Sequence, residues 1–241
     1  MKPKKHPLFS IYQWIVAYPL IALATILVAT ATVILSPVFP NNKLSYNPAR
    51  WWGRIICRLC FVPVKVHGLD KLDPKQSYIF ALNHQSFFDV FVVYGRLPFI
   101  FKWMMKAELR KIPFVGKACE SAGHIFIDRT NPATILKSME KAKLQLCNGV
   151  SLVIFPEGTR TYTGELGKFK RGAFQLATEL SLPIVPVTLK GSFDRMPRNS
   201  INVTPGPIEM FIHEPVDPHL YRPDQFHELI QFTRDQIQSA L

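Results

Sequence analysis

His84 and Asp89 stand five residues apart in Asn83-His84-Gln85-Ser86-Phe87-Phe88-Asp89, directly after the apolar run Tyr78-Ile79-Phe80-Ala81-Leu82. Near neutral pH an imidazole can take a proton from an alcohol. A carboxylate on its other ring nitrogen fixes the tautomer and stabilises the imidazolium that forms. On one continuous α-helix, residues five apart are separated by about 140° around the axis and do not face each other. The pair therefore needs a change of backbone direction. His84 belongs on the loop or first turn after a strand, Asp89 reaches back from the helix, and Ser86 suits the N-cap at the junction. Taken alone, such a pair is more often a hydrogen-bonded loop histidine and a solvated helix aspartate, so its partners elsewhere in the chain matter.

Two further strand ends carry arginines. Leu152-Val153-Ile154-Phe155 runs into Pro156-Glu157-Gly158-Thr159-Arg160, and Gly123-His124-Ile125-Phe126-Ile127 leads to Asp128-Arg129. Gly158 lets the backbone approach a ligand or adopt a positive φ. Arg160 offers a planar fork suited to phosphate. Glu157 is placed to position either that arginine or His84. Each segment by itself reads as an ordinary turn with an ion pair. Two strand-terminal arginines beside a strand-terminal histidine form a pattern that ordinary turns do not predict.

The elements that hold these residues follow from the apolar pattern. Strand-like runs are Val64–His67, Tyr78–Leu82, Phe99–Trp103, His124–Ile127, Leu152–Phe155, Ile184–Leu189 and Ile208–Ile212. A helix over Pro132–Cys147 is bounded by Asn131 and Gly149, with Ile135, Met139, Ala142 and Leu146 as its buried stripe. Helices are also expected over Phe169–Leu180 and Pro223–Ala240. Strands alternating with helices predict an α/β fold: a mixed, largely parallel sheet covered by helices on both faces. Functional loops then leave the carboxyl ends of the strands, where His84, Arg129 and Arg160 all lie.

The chain has 241 residues, with 29 Lys and Arg against 17 Asp and Glu, a formal charge of +12. That balance implies an anionic partner. Nucleic acid is excluded on motif grounds, because no zinc-finger spacing, RNP-type motif or basic zipper is present. Between Lys5 and Lys43 no Asp, Glu, Lys or Arg occurs, and Ile11 to Phe39 is mostly apolar. About 20 apolar residues suffice to cross the hydrocarbon core. Lys2, Lys4 and Lys5 on one flank and Lys43, Arg50, Arg54 and Arg58 on the other are both basic, which suits a re-entrant or hairpin anchor turning at Pro37, Pro40 and Asn41-Asn42. The amphipathic stretch Trp51 to Val62 is expected to return along the membrane surface with its arginines toward lipid phosphates. Residues 1–62 thus read as an N-terminal membrane anchor and 63–241 as a catalytic domain. A cleaved signal peptide is the competing reading, and the apolar segment is too long for it. Cys57, Cys60, Cys119 and Cys147 do not form a disulfide framework, and the Cys57/Cys60 pair reads as packing.

Together these motifs resemble those of the 1-acylglycerol-3-phosphate acyltransferase family, the glycerolipid acyltransferases with an HX4D motif. Asn83-His84 through Asp89 is similar to the first motif, Gly123 through Arg129 to the second, Phe155 through Arg160 to the third and Leu182 through Val187 to the fourth, in the family's order. The segment from Met105-Lys106 to Gly116 is similar to the stretch between motifs one and two. Thr161 stands where the family often has serine. The resemblance implies transfer of a fatty acyl group from acyl-carrier protein or coenzyme A to lysophosphatidic acid, giving phosphatidic acid. His84 is then the general base and Asp89 its orienting group. Lys106, Arg129, Glu157, Gly158, Thr159 and Arg160 surround the acceptor, with the arginines and Lys106 on its phosphate. No cofactor or metal is expected, since the thioester is already activated and no ligand set has metal spacing. The partners implied are membrane lipids and the thioester carrier. Because thioester donors are cytoplasmic, the globular part is expected at the cytoplasmic face of the inner (plasma) membrane.

The acceptor is less firmly implied than the reaction: another lysophospholipid, a lyso-aminolipid or glycerol 3-phosphate would use the same motifs. A non-catalytic lipid-binding protein of the same fold is the reading from another class, and the intact His84/Asp89 pair counts against it. A hydrolase lacks support, because no Gly-x-Ser-x-Gly elbow is present.

Overall fold

A strand without a single polar side chain survives only where both faces are covered. Ile79–Leu82 is such a strand, and all four residues are buried. The computed structural model describes residues 7–128, 140 and 142–241. The apolar runs become β1 (Val64–His67), β2 (Ile79–Leu82), β3 (Ile100–Lys106), β4 (Ile125–Ile127), β5 (Val150–Ile154), β6 (Ile184–Lys190) and β7 (Ile208–Ile212). They form one sheet of order β1-β7-β6-β2-β5-β3-β4. Only the β6–β7 pair is antiparallel. The mixed, largely parallel sheet expected from the sequence is the one observed.

The pleat divides the core in two. Phe80 and Leu82 point to one face, where they join Ile56, Phe88 and Val92. Ile79 and Ala81 point to the other, with Phe174, Ala177 and Leu229. The first face is covered by α3 (Lys43–Leu59) and α4 (Phe88–Arg96), the second by α6 (Arg171–Leu180) and α8 (Phe226–Ser239). Ahead of these lie α1 (Pro7–Tyr12) and α2 (Tyr18–Val38), joined by a π-helical turn, Gln13–Ala17. Two further helices are short, α5 (Val115–Ser121) and α7 (Ser192–Arg195). Of the helix expected over Pro132–Cys147, residues 140 and 142–145 are helical, with Ala142 and Leu146 buried. Its stripe residues Ile135 and Met139 fall outside the described residues, as does Arg129.

The N-terminal helical run is long and apolar enough to cross a membrane, with a mean hydropathy of 2.2 over its best window. Its polarity is inside out. Ala29, Thr32 and Ser36 are buried, whereas Leu20, Leu23, Ile26, Leu27 and Ile34 are exposed. Small residues on the inner side let α2 approach its neighbours closely, and Trp52 Nε1 donates to Thr25 Oγ1 at 2.9 Å. Pro37 lies inside α2, one residue before its end, Asn41 takes a positive φ in the turn, and Asn42 caps α3 by accepting from the amide of Leu44.

That cap corrects the expected second stretch. The helix begins at Lys43 and ends at Leu59, instead of running from Trp51 to Val62. Of the two arginines in the expected stretch, Arg58 is exposed but Arg54 faces the protein, as does Arg50 one turn earlier. Arg54 Nε donates to Gly95 O at 2.9 Å and Arg50 Nη2 to Phe99 O at 3.5 Å. Gly95 O is among the last carbonyls of α4, which lack helical partners and carry partial negative charge, so it competes with phosphate for the same cation. The α3–α4 crossing is tight: a Cβ on Gly53 would lie 2.4 Å from Phe91 O. Cys57 and Cys60 lie in the core beneath this crossing, and burial pushes both thiols up to about 12.

Strand β3 is longer than the run Phe99–Trp103. Ile100–Trp103 pair with β5, and Met104–Lys106 then pair with β4. Lys106 is thereby the last residue of β3. Beneath β3 the buried His124 accepts from the Trp103 amide at Nδ1 (3.2 Å) and meets the Tyr94 hydroxyl at Nε2 (2.7 Å). Burial, then the nearby Lys102 cation, lowers its pKa to about 3. The unfolded chain binds this proton more readily than the folded one, so His124 contributes stability that is complete above the ordinary imidazole range and lost as pH falls toward 3. Thermal unfolding midpoints are expected to drop across that window, and a His124→Phe variant to show a shallower slope.

Candidate active site

The first three motifs and the Lys106 segment leave the carboxyl ends of four adjacent strands: β2 leads to His84, β5 to Glu157–Arg160, β3 ends at Lys106, and β4 leads to Asp128, while the fourth motif runs into β6 itself. In open parallel sheets ligands bind outside this edge.

Asn83 pins the first loop. Its side chain acts as one more residue of backbone pairing, with Nδ2 donating to Leu189 O at 3.0 Å and Oδ1 accepting from Leu189 N at 2.7 Å. Next to it, His84 Nδ1 lies 2.8 Å from Asp89 Oδ2. An ionised carboxylate only accepts, so Nδ1 carries the hydrogen and Nε2 is left with its lone pair. The same Asp89 oxygen accepts from the amides of Gln85 and Ser86, each at 2.8 Å. Three donors stabilise a carboxylate that has no exposed surface, while the His84 side chain retains 17% of its surface. The two amides point at Asp89 and not at the cleft, so donors to a reaction oxyanion lie elsewhere. Ser86 is not the N-cap residue itself, because helix α4 starts one residue later than that role requires, with Phe87 at the cap. Its Oγ nonetheless accepts from the Phe88 amide at 3.1 Å and donates to Met196 O at 2.9 Å.

Glu157 settles between its two possible partners. Its Oε1 accepts from the His84 backbone amide at 2.7 Å and its Oε2 from the Gly167 amide at 2.7 Å. The carboxylate is therefore occupied by the protein and holds the His84 loop, instead of steering Arg160 or facing an acceptor. Burial raises its pKa, opposed by those same two amides. Thr161 N donates to His84 O at 3.0 Å, a second tie between the loops. Gly158 has φ 75°, which a side chain would strain, in the turn that brings its amide to Phe155 O at 2.9 Å.

The ring of His84 lies flat on Phe155, with centroids 3.7 Å apart and planes 8° from parallel, and Phe155 stacks in turn on Trp103. This stack, which local sequence patterns do not announce, fixes the imidazole plane in addition to the Asp89 bond. Arg160 extends over the Phe87 ring, 5.7 Å from its centroid. Burial, and then the neighbouring Arg198 cation, lowers its pKa, with Asp89 opposing. Thr159 is exposed, and its Oγ1 accepts from Arg198 Nη1 at 2.8 Å. Lys106 is exposed at the end of β3. The structure thus brings His84, Asp89, Glu157, Gly158, Thr159 and Arg160 together, and sets Lys106 at the same sheet edge two strands from β2. Arg129 follows the last described residue of its segment.

This geometry can take a proton from a hydroxyl at His84 Nε2 with an anionic group held by Arg160. The family model described as Acyltransferase matches residues 63–190. A 1-acyl-sn-glycerol-3-phosphate acyltransferase of Cocos nucifera is 31% identical over 180 residues, which cover 74% of this chain and 58% of that one. One of Limnanthes douglasii is 29% identical over 95% of this chain and 81% of its own. The chain spans about half the length of several of the curated relatives it matches. Among solved structures, the 1-acyl-sn-glycerophosphate (LPA) acyltransferase PlsC from Thermotoga maritima superimposes with a TM-score of 0.76 at 25% identity, covering 97% of this chain and 94% of that one.

Proposed function

Because the chain belongs to the acyltransferase family, we propose that it moves a fatty acyl group from a thioester to the free hydroxyl of 1-acylglycerol 3-phosphate, giving phosphatidic acid. The observation that carries this reading is an imidazole locked on a buried carboxylate through Nδ1, with Nε2 free and a guanidinium on the next strand's loop. The similar proteins named as 1-acyl-sn-glycerol-3-phosphate acyltransferases support the choice of acceptor.

In the proposed step His84 Nε2 takes the acceptor's hydroxyl proton as its oxygen bonds to the thioester carbonyl carbon. The tetrahedral intermediate then breaks its C–S bond, and the departing thiolate takes the proton back from the imidazolium. Asp89 remains ionised and stabilises the imidazolium between the two transfers. Arg160 grips the acceptor's phosphate and so fixes the position of its hydroxyl; Lys106 and Arg129 are further cations for that phosphate. Glu157, Gly158 and Thr159 shape the loop from which Arg160 extends. The donor is an acyl-carrier-protein or coenzyme A thioester; the exposed apolar side of α1 and α2 supports a site at a membrane surface, and a cytoplasmic source of thioesters supports the cytoplasmic face.

The test is product analysis with purified protein in detergent, using a panel of lysolipid acceptors with both donors. Diacylglycerol phosphate formed in step with thiol release supports the reading; acylation of other lysolipids in preference to 1-acylglycerol 3-phosphate rejects the acceptor. Replacing Arg160 with alanine is expected to raise the acceptor KM roughly 10- to 100-fold, the loss of a hydrogen bond to a charged group. Donor KM should change little. Equal losses for both substrates would reject a phosphate role.

A further inference from the structure

The cleft next to the His84 loop measures about 480 Å³, within the usual range of roughly 300–1,000 Å³ for small-molecule sites. Two cations line it, Arg160 and Arg198. Its apolar wall comes from Trp14, Tyr18, Phe87 and Ile201. Arg198 appears in none of the motifs above, yet it is built into the site. Its Nη1 donates to Arg160 O at 2.7 Å and to Thr159 Oγ1 at 2.8 Å, and its guanidinium lies 4.1 Å from the centroid of the Tyr162 ring. Those contacts fix the plane of the fork and engage one of its three nitrogens. Among the described residues neither Arg160 nor Arg198 has a carboxylate at ion-pair distance.

Two guanidiniums held together without a counter-ion repel, and a shared anion relieves that repulsion. Phosphate matches their geometry through parallel N–H···O bonds. The apolar wall is the wrong lining for a free phosphate and the right one for a phosphate carried on an alkyl chain. We propose that Arg198 is a second phosphate ligand for the acceptor, paired with Arg160 across this cleft, and that Trp14, Tyr18 and Ile201 hold the beginning of the acceptor's acyl chain. The N-terminal helix then forms part of the substrate site as well as an anchor. This inference rests on the acceptor reading given above and names the residues that recognise it.

The framework around the cleft fits the role. The loop carrying Arg198 is tied to the catalytic loop by Ser86 Oγ, which donates to Met196 O. It is tied to the N-terminal helix by Gln13, which is buried, donates to Asn202 Oδ1 at 3.3 Å and accepts from Val203 N at 2.9 Å. The Tyr18 hydroxyl donates to Ile201 O. Gln13 opens the π-helical turn, and such widened turns redirect side chains at functional sites.

Arg198→Gln, Arg198→Lys and Trp14→Ala in the full chain, in detergent, test this by titration with 1-oleoylglycerol 3-phosphate and with the neutral 1-oleoylglycerol. Arg198→Gln is expected to weaken the phosphorylated lipid roughly 10- to 100-fold and leave the neutral one unchanged. It should raise acceptor KM with kcat and donor KM near those of the parent. Arg198→Lys should recover part of the loss, since it keeps the charge and lacks the fork. Trp14→Ala should weaken both lipids alike. Equal loss of both lipids in Arg198→Gln would make the residue only a brace. Unchanged binding of the phosphorylated lipid in Arg198→Gln, or in Arg198→Lys if the first variant does not fold, overturns the proposal. No effect of Trp14→Ala removes the helix from the site. If the parent protein binds the phosphorylated lipid through Arg198 but forms no diacyl product, the activity assignment fails and this inference stands.

Discussion

His84→Ala is expected to lower kcat by about 10²–10⁴-fold, the usual contribution of a positioned general base, while the protein still binds vesicles. The two outcomes separate because the imidazole belongs to the loop after β2, while the exposed Leu23, Ile26, Leu27 and Ile34 that would meet the bilayer belong to α2. His84 contributes its ring to a stack on Phe155 and one hydrogen bond to Asp89. The loop itself is held by other groups: the His84 amide on Glu157, the His84 carbonyl on Thr161, and Asn83 on Leu189. Removing the imidazole therefore empties the catalytic position without releasing the loop. Acceptor and donor KM values should stay near those of the parent, since the phosphate ligands are untouched. Flotation with vesicles and a kcat measurement on the same preparation check both halves.

Asp89 is expected to divide into two effects by substitution. Asp89→Asn keeps an oxygen that can accept from Gln85 and Ser86, so the fold should survive. It removes the negative charge opposite the imidazolium and can hold the ring in the wrong tautomer, a change that costs about 10⁴-fold in kcat in the serine-protease triad. Asp89→Ala also leaves three donors without an acceptor in a place closed to water. Breaking a buried charged network of this kind costs on the order of 3–5 kcal/mol, or roughly 10 °C in unfolding midpoint for a chain of this size. Paired melts and rate measurements distinguish the variants. An Asp89→Asn enzyme with near-parental kcat would show that the carboxylate is structural only.

The strands and the loops that leave them were legible because the chemistry is local. An apolar run closed by Asn83-His84, or by Pro156 and Gly158, states where a buried strand stops, and the helical angle between residues five apart demands the turn that α4 supplies. Contacts between distant segments were not legible. Glu157 had two candidate partners and took neither side chain, binding instead the backbone of His84 and Gly167. Phe155 read as the last residue of a strand and is the surface on which the imidazole lies. Arg198 belongs to no local pattern at all. Arg54 misled for a clear reason: on an amphipathic helix, a cation destined for lipid phosphates looks the same as a cation destined for the open carbonyls of a neighbouring helix. Only the close Gly53 crossing, which brings α4 within reach of Arg54, decides between them.

The central claim is that the acceptor's own hydroxyl, relieved of its proton by His84, attacks the thioester directly. A single-turnover experiment with enzyme in excess over a radiolabelled acyl thioester tests it most directly, run with and without 1-oleoylglycerol 3-phosphate. The account predicts intact thioester without the acceptor, phosphatidic acid as the labelled product with it, and product formation about 10²–10⁴-fold slower from His84→Ala. Label covalently attached to the protein, label released as free fatty acid, or product from the alanine variant at the parental rate would contradict it.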